Sequence, residues 1–202
     1  NVGHPEKALK HAERGVAGCR KFVEESPTDM QDVLVSHLKG LSDCLAAVGR
    51  DNEALLAAKE AVLIYAAIPP YTWSPFLIPL RSQEMGANCF RSLSLRLTTF
   101  GQLDEALANA EKATGLYREL VSLAPVHQPS LARSLRDVAS ILWKLGRQDE
   151  SIEAMEEVVV LMQKVADNET YFLTALIEAL DQLSGYLSKR GDTERASAAA
   201  SE

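Results

Sequence analysis

The chain has 202 residues, a formal net charge of −7, and an apolar content of 47%. The negative charge argues against broad nucleic-acid binding, because that binding draws most of its affinity from lysine and arginine contacts to phosphates. With only 11 glycines and 8 prolines, the composition favours a helix-rich array.

Apolar residues at three- and four-residue spacing predict amphipathic helices along the chain. In chain order we expect one array over residues 1–202, in which a half repeat is followed by helical hairpins, the last of them truncated. The half repeat covers residues 1–25, and the hairpins cover 28–68, 76–123, 128–166 and 169–202. Thr28 with Gln31 is typical of a capping box and predicts the start of the first hairpin.

Internal repetition supports this map. Glycines stand at positions 3, 49, 101, 146 and 191, at spacings of 46, 52, 45 and 45 residues, and Gly146 is predicted to end a helix in a left-handed turn. The positions five after and seven before these glycines hold alanine or serine, which predicts close helix packing. The positions eleven, eight and four before hold large apolar residues, which we expect to fill the groove against the next hairpin. Ser42, Ser94 and Ser184 are expected to return their hydroxyls to their own helix.

One segment breaks the period. Between residues 68 and 82 the unit is longer, and it holds four prolines with Tyr71, Trp73 and Phe76. Aromatics flanked by prolines suit a binding loop, because they lose little entropy on binding. The alternative is that Trp73 and Phe76 fold back over an exposed helix groove.

The residue pattern resembles the tetratricopeptide repeat superfamily. One copy of the pattern is formed by Leu135, Val138, Ala139, Leu142, Gly146, Ser151, Met155 and Val158. The sequence departs from the usual pattern, because the early tryptophan is absent and its units of about 45 residues exceed the usual 34. The longer units resemble the long-repeat variety found in kinesin light chains. The resemblance implies an all-α fold, a right-handed α-α superhelix of antiparallel hairpins.

Motifs for chemistry are absent from the sequence. Its four histidines form no HExxH, and neither a phosphate-binding glycine loop nor a GxSxG elbow occurs, so we expect no catalysis, no metal site and no cofactor. Cys19, Cys44 and Cys89 form no CxxC, which favours reduced thiols in an intracellular, cytoplasmic protein. No apolar run approaches the about 18 residues of a membrane helix, and no secretion signal is seen.

The resemblance implies that the first helix of each hairpin lines a concave groove. The candidate partner-binding residues are then the non-core positions Lys39, Asp43, Asn88, Arg91, Arg133, Arg136, Ser140, Trp143 and Asp181. Arg91, Arg133 and Arg136 would form a basic middle that receives an acidic group of the partner. Two alternatives stay open, since Arg136 can pair with Asp137 or a neighbouring helix and Trp143 can be packing.

Two classes of function remain. The first is a protein–protein interaction scaffold that holds a peptide or a partner helix, with no role for nucleic acid or membrane. The second is a regulatory or sensor arm of a larger signalling ATPase or protease, whose catalytic domain lies outside residues 1–202. Self-association through the truncated end helices is a further possibility.

Overall fold

The computed structural model describes residues 5–25, 30–68, 78–167 and 172–201, and for residues 78–81 the backbone alone. Within these ranges the chain folds into α-helices and short turns, among them the 3-10 turn Pro125–His127. The helices are α1 Pro5–Glu25, α2 Gln31–Ala47, α3 Asp51–Ala67, α4 Ile78–Thr99, α5 Leu103–Leu123, α6 Gln128–Lys144, α7 Gln148–Ala166, α8 Leu173–Arg190 and α9 Thr193–Ala199. The predicted aromatic loop around Trp73 and the Thr28 cap lie outside the described residues.

The chain divides into two compact units, residues 1–116 and 117–202, and the boundary falls within α5. In unit 1, α1 packs on α2, α2 on α3, and α4 on both α2 and α3. In unit 2, α6 packs on α7, α7 on α8, and α8 on α9. The contacts between helices that follow one another in the chain join antiparallel neighbours.

The repeated glycines end their helices in the left-handed conformation. Their φ angles are 78° at Gly49, 71° at Gly101, 78° at Gly146 and 94° at Gly191. At Gly146 the glycine N–H donates to the carbonyl of Trp143 at 3.1 Å, and the N–H of Arg147 donates to that of Leu142 at 2.9 Å. This pair of bonds is the Schellman motif, and it satisfies carbonyls that a helix end leaves free. The left-handed turn predicted at Gly146 is confirmed, and Gly49, Gly101 and Gly191 adopt the same conformation.

The small residues on the two helices of each hairpin face one another. A serine hydroxyl on one helix donates to the carbonyl of an alanine on the other in the pairs Ser42–Ala54 (2.8 Å), Ser94–Ala106 (2.8 Å), Ser151–Ala139 (2.7 Å) and Ser184–Ala196 (2.9 Å). The expectation that Ser42, Ser94 and Ser184 bond to their own helix is therefore wrong. With alanine opposite, the two backbones approach closely enough for the hydroxyl to reach the facing carbonyl.

The large residues build the core. The leucines four positions before the glycines are buried in all four turns, namely Leu45, Leu97, Leu142 and Leu187. In unit 1 a cluster that includes Val35, Leu38 and Cys89 joins α2 to α4. Cys19 and Cys89 are buried free thiols and Cys44 is half-buried, so none of the three forms a disulfide.

Gly86 lets α4 approach α3. A Cβ added at Gly86 would lie 2.3 Å from the ring and hydroxyl of Tyr65, far inside contact distance. The Tyr65 ring meets Phe90 edge-on, with centroids 6.0 Å apart and planes at 88°. This geometry is favourable for aromatic pairs, so the glycine makes room for a packed aromatic cluster.

Candidate functional site

The first helices of the hairpins present two surfaces, one in each unit. The α2/α4 face is formed in unit 1 by Asp32, Ser36, Lys39, Asp43, Glu84, Met85, Asn88 and Cys89. The α6/α8 face is formed in unit 2 by Arg133, Arg136, Ser140, Trp143, Glu178, Asp181 and Tyr186. Each surface takes its polar residues from the side of the helix that the apolar positions leave unused.

A cavity of about 250 Å³ opens on the α2/α4 face. Its lining comes from α2 and α4 in nearly equal parts: Asp32, Ser36 and Lys39 from the first, and Glu84, Met85, Asn88 and Cys89 from the second. The cavity is open to solvent on one side, and its wall is more polar than apolar. It is therefore suited to a polar group and not to a purely hydrophobic one.

Hydrogen bonds and one ion pair order the rim of this cavity. The ammonium of Lys39 lies 2.8 Å from a carboxylate oxygen of Asp43, one helical turn further along α2. The other oxygen of Asp43 accepts a bond of 3.3 Å from the hydroxyl of Ser92 on α4. The hydroxyl of Ser36 donates to the backbone carbonyl of Asp32 at 3.1 Å. Asp43 thus links α2 to α4 while it neutralises Lys39.

Cys89 lies at the buried side of the cavity. Burial raises the pKa of its thiol to about 12, an effect that outweighs the opposing influence of Lys39. A thiol of this kind stays protonated at neutral pH, and the thiolate is the form that reacts with electrophiles. In this position Cys89 is a lining group and not a nucleophile.

An aromatic stack marks the α6/α8 face. The rings of Trp143 and Tyr186 have centroids 4.6 Å apart and planes at 13° to each other. Both side chains remain partly exposed. Burial raises the pKa of the Tyr186 hydroxyl, an effect that outweighs the opposing influence of Ser140. The stack therefore joins α6 to α8 while it still presents apolar surface to solvent.

Charges of both signs surround the stack. Arg136 is about one-quarter exposed and lies 3.5 Å from a carboxylate oxygen of Glu178 on α8, although its buried Nε has no hydrogen-bond partner in the described chain. Arg133 and Asp181 are exposed. Among the alternatives for Arg136, the structure places it beside the neighbouring helix α8.

The structure groups the nine predicted residues by unit. It brings Lys39, Asp43 and Asn88 together around the cavity of unit 1, and Arg136, Ser140 and Trp143 beside Tyr186 and Glu178 in unit 2. Arg91 lies on α4 with its Nε buried. The basic middle that joins Arg91 to Arg133 and Arg136 draws on both units and stays a prediction.

Sequence reasoning missed several residues of these faces, among them Asp32, Glu84 and Tyr186. Asp32 and Glu84 both stand seventeen residues before a turn glycine, on the N-terminal side of the first predicted positions, Lys39 on α2 and Asn88 on α4. Tyr186 follows Glu178 on α8 by eight residues and so lies on the same face of that helix. In each case, following the same face of the helix further along the chain would have found the residue.

Across the described ranges, no three His, Cys, Asp or Glu side chains converge as a metal ion would require. None of the helices in the described part has the length and apolar character needed to cross a membrane.

Solved structures resemble the chain over nearly its whole length. BtubC (BKLC) from P. vanneervenii matches 98% of this chain and 71% of its own, at 16% identity and a TM-score of 0.69. Nearly identical TPR-like repeats from Podosopora anserina, assigned to kinesin light chain, match 98% of this chain and 84% of their own, at 19% identity and a TM-score of 0.67. MamA matches 100% of this chain and 91% of its own, at 14% identity and a TM-score of 0.60.

At these identities the likeness concerns the fold. No protein-family model and no curated protein matches the chain. The chain has an all-α, tetratricopeptide-type fold of antiparallel helical hairpins, and the fold class inferred from the sequence is confirmed. This fold is a helical-repeat scaffold.

Proposed function

We propose that the protein is an intracellular interaction scaffold that binds a peptide or a partner helix on the first helices of its hairpins, without catalysis of its own. The observation that carries the proposal is the Trp143–Tyr186 stack, which is ordered and yet partly exposed on the α6/α8 face. Aromatic side chains held in this way are the commonest anchors of protein interfaces, because they bury much area at little entropic cost.

The groups around the stack support a protein ligand. Arg133 is exposed one turn before Arg136, and a guanidinium in this position can bind a carboxylate of the partner with two parallel hydrogen bonds. Asp181 offers the opposite charge on α8. An apolar anchor with charges of both signs near it matches the centre and rim of a protein interface.

The test begins with capture of a partner from a lysate, followed by measurement of its Kd for purified variants by calorimetry. Trp143→Ala is expected to raise Kd about tenfold or more, the range of a buried aromatic anchor. Arg133→Glu should raise it as well, because the reversal repels an acidic group. Circular dichroism of both variants checks that the helices remain folded.

The matched control is Glu153→Arg, a charge reversal at an exposed position of α7, a second helix of unit 2. It should leave Kd unchanged. If all three variants bind the partner as tightly as the parent chain, contact through the α6/α8 face is ruled out. A loss of affinity in the Glu153→Arg variant alone would show that the partner binds the second helices instead.

A further inference from the structure

The cavity on the α2/α4 face lies in unit 1, whereas the aromatic stack lies in unit 2, and the cavity carries an inference of its own. Its volume of about 250 Å³ lies below the roughly 300 Å³ at which pockets for whole small molecules begin. A single long side chain is an occupant of suitable size. The inference rests on the proposed function, since that side chain would belong to a bound peptide.

The charge of the lining is negative once its internal ion pair is taken into account. Lys39 is the cation of the cavity, and Asp43 holds its ammonium at 2.8 Å. The carboxylates of Asp32 on α2 and Glu84 on α4 form no ion pair within the described part of the chain. One oxygen of Asp32 accepts a backbone bond of 2.8 Å from Val33, which fixes the carboxylate. Two carboxylates therefore remain to attract a cation.

Part of the cavity lining suits an aliphatic stem. Met85 contributes a thioether and Cys89 a protonated thiol, both weak in hydrogen bonding and compatible with methylene groups. Lysine and arginine combine such a stem with a charged end, and they bury the first while keeping the second near polar partners. The amide of Asn88 and the hydroxyl of Ser36 complete a polar mouth around the charged end.

We propose that the α2/α4 cavity is a subsite for a lysine or arginine side chain of the bound peptide. The cationic end lies between the carboxylates of Asp32 and Glu84, and the stem lies against Met85 and Cys89. Glutamate and aspartate are rejected, because either would bring a third carboxylate to the site. Arginine is preferred over lysine, because its planar guanidinium can bind a carboxylate with two parallel bonds.

The test uses capped pentapeptides of glycine with arginine, lysine, norleucine or glutamate at the centre, titrated into the isotope-labelled full chain and followed by amide NMR shifts. The arginine and lysine peptides should shift the amides of Asp32, Ser36 and Glu84. Norleucine and glutamate peptides should not. Equal shifts with the norleucine peptide would show that the cavity binds an apolar side chain. Binding of the glutamate peptide would show that the cavity does not select a positive charge. Either result overturns the proposal.

Two variants assign the effect to the carboxylates. Glu84→Gln and Asp32→Asn keep the size of each side chain, and each is expected to weaken the arginine peptide by about three- to fivefold, the scale of an ion pair near the surface. Glu105→Gln, at an exposed position of α5 in unit 1, is the matched control and should leave affinity unchanged. Unchanged binding in both cavity variants, or no binding of the arginine peptide to the parent chain, overturns the proposal.

The outcome is separable from that of the proposed function. A captured partner whose Kd depends on Trp143 but not on Glu84 overturns the cavity subsite and leaves the scaffold function standing. A partner whose Kd depends on neither residue overturns contact through both faces.

Discussion

The hairpins α2/α3 and α6/α7 both pair a serine with an alanine where their two helices meet. They differ in which helix carries the serine. In α2/α3 the first helix supplies the donor, Ser42, and the second supplies the carbonyl of Ala54 at 2.8 Å. In α6/α7 the second helix supplies Ser151, which donates to the carbonyl of Ala139 on the first at 2.7 Å. Both pairs are buried. The fold therefore requires two small side chains at the closest approach, and it accepts the hydroxyl from either helix.

The features that do not change between these hairpins lie at their turns. Gly49 and Gly146 both have a φ of 78°. The next residue in each turn is an arginine, Arg50 or Arg147, which forms an ion pair with a glutamate three positions later at 2.5 Å. Backbone geometry at the turn is thus fixed, whereas the polar group in the hairpin contact can change sides. Four predictions test this distinction.

The largest effect is expected from enlarging a small residue at the contact. Ala54→Leu adds a branched side chain at a fully buried position, and the overpacking should lower the free energy of unfolding by about 1–3 kcal/mol. Urea denaturation measures the change. Leu56→Ala on the same helix is the control, because Leu56 is 66% exposed and its truncation should have little effect. Equal stability of Ala54→Leu and the parent chain would refute the packing assignment.

The next effect comes from the turn. Gly146→Ala should lower the free energy of unfolding by about 1–2 kcal/mol, because a side chain at positive φ meets the following carbonyl. Gly185→Ala is the matched control within unit 2. Gly185 lies inside α8 at negative φ, and an added Cβ meets no atom within 4 Å.

This control should stabilise the helix by about 0.5–1 kcal/mol, the usual difference between glycine and alanine. Thermal unfolding of the two variants should therefore shift in opposite directions. If both variants shift the melting temperature in the same direction, the left-handed conformation at Gly146 is not the reason that the turn needs glycine.

The third prediction exchanges the hydroxyl between helices. Ser151→Ala should cost about 1 kcal/mol, the net value of one buried hydrogen bond. Adding Ala139→Ser to that variant recreates the arrangement of α2/α3, with the donor on the first helix, and should recover most of the loss. A double-mutant cycle measures the recovery. No recovery would mean that α6/α7 requires its donor on the second helix and that the two arrangements are not equivalent.

The sequence predicted the parts of the fold that depend on volume and backbone conformation. Glycine is needed at the turns for its backbone conformation, and alanine or serine is needed at the contact for its small volume. The positions of these residues were therefore sufficient to predict the turns and the close packing of the helices. The direction of the hydroxyls was mispredicted, because a serine such as Ser42 can reach its own helix or the facing one, and only the distance between the helices decides.

The two faces were predictable in part, for a similar reason. The polar stripe of each first helix gave Lys39, Asn88 and Trp143, since these positions follow from helical spacing. The stacking of Trp143 on Tyr186 and the cavity between α2 and α4 depend on contacts between helices of different repeats. The pattern within one repeat does not contain that information.

The smallest effect concerns the ion pairs that both turns share. Hydrogen bonds from Arg147 hold the pKa of the Glu150 carboxyl below its ordinary value of 4.5, and Arg50 does the same for Glu53. Since each pKa is lower in the folded state, the pair stabilises the fold above about pH 4.5, and that contribution is lost as the pH falls through the lowered pKa. Both carboxylates are exposed, so the change in stability is small and the titration itself is the better measurement.

Carboxyl NMR of the parent chain should show Glu53 and Glu150 titrating below the ordinary glutamate value of 4.5. Arg147→Ala should return Glu150 to its ordinary pKa and leave Glu53 unchanged, because the two turns lie in separate hairpins. A Glu150 that keeps its lowered pKa without Arg147 would assign the shift to its place in the first turn of α7, where the helix dipole also favours a carboxylate. In that case Arg147 would not be the cause of the lowered pKa of Glu150, and its ion pair would not contribute to the stability of the turn.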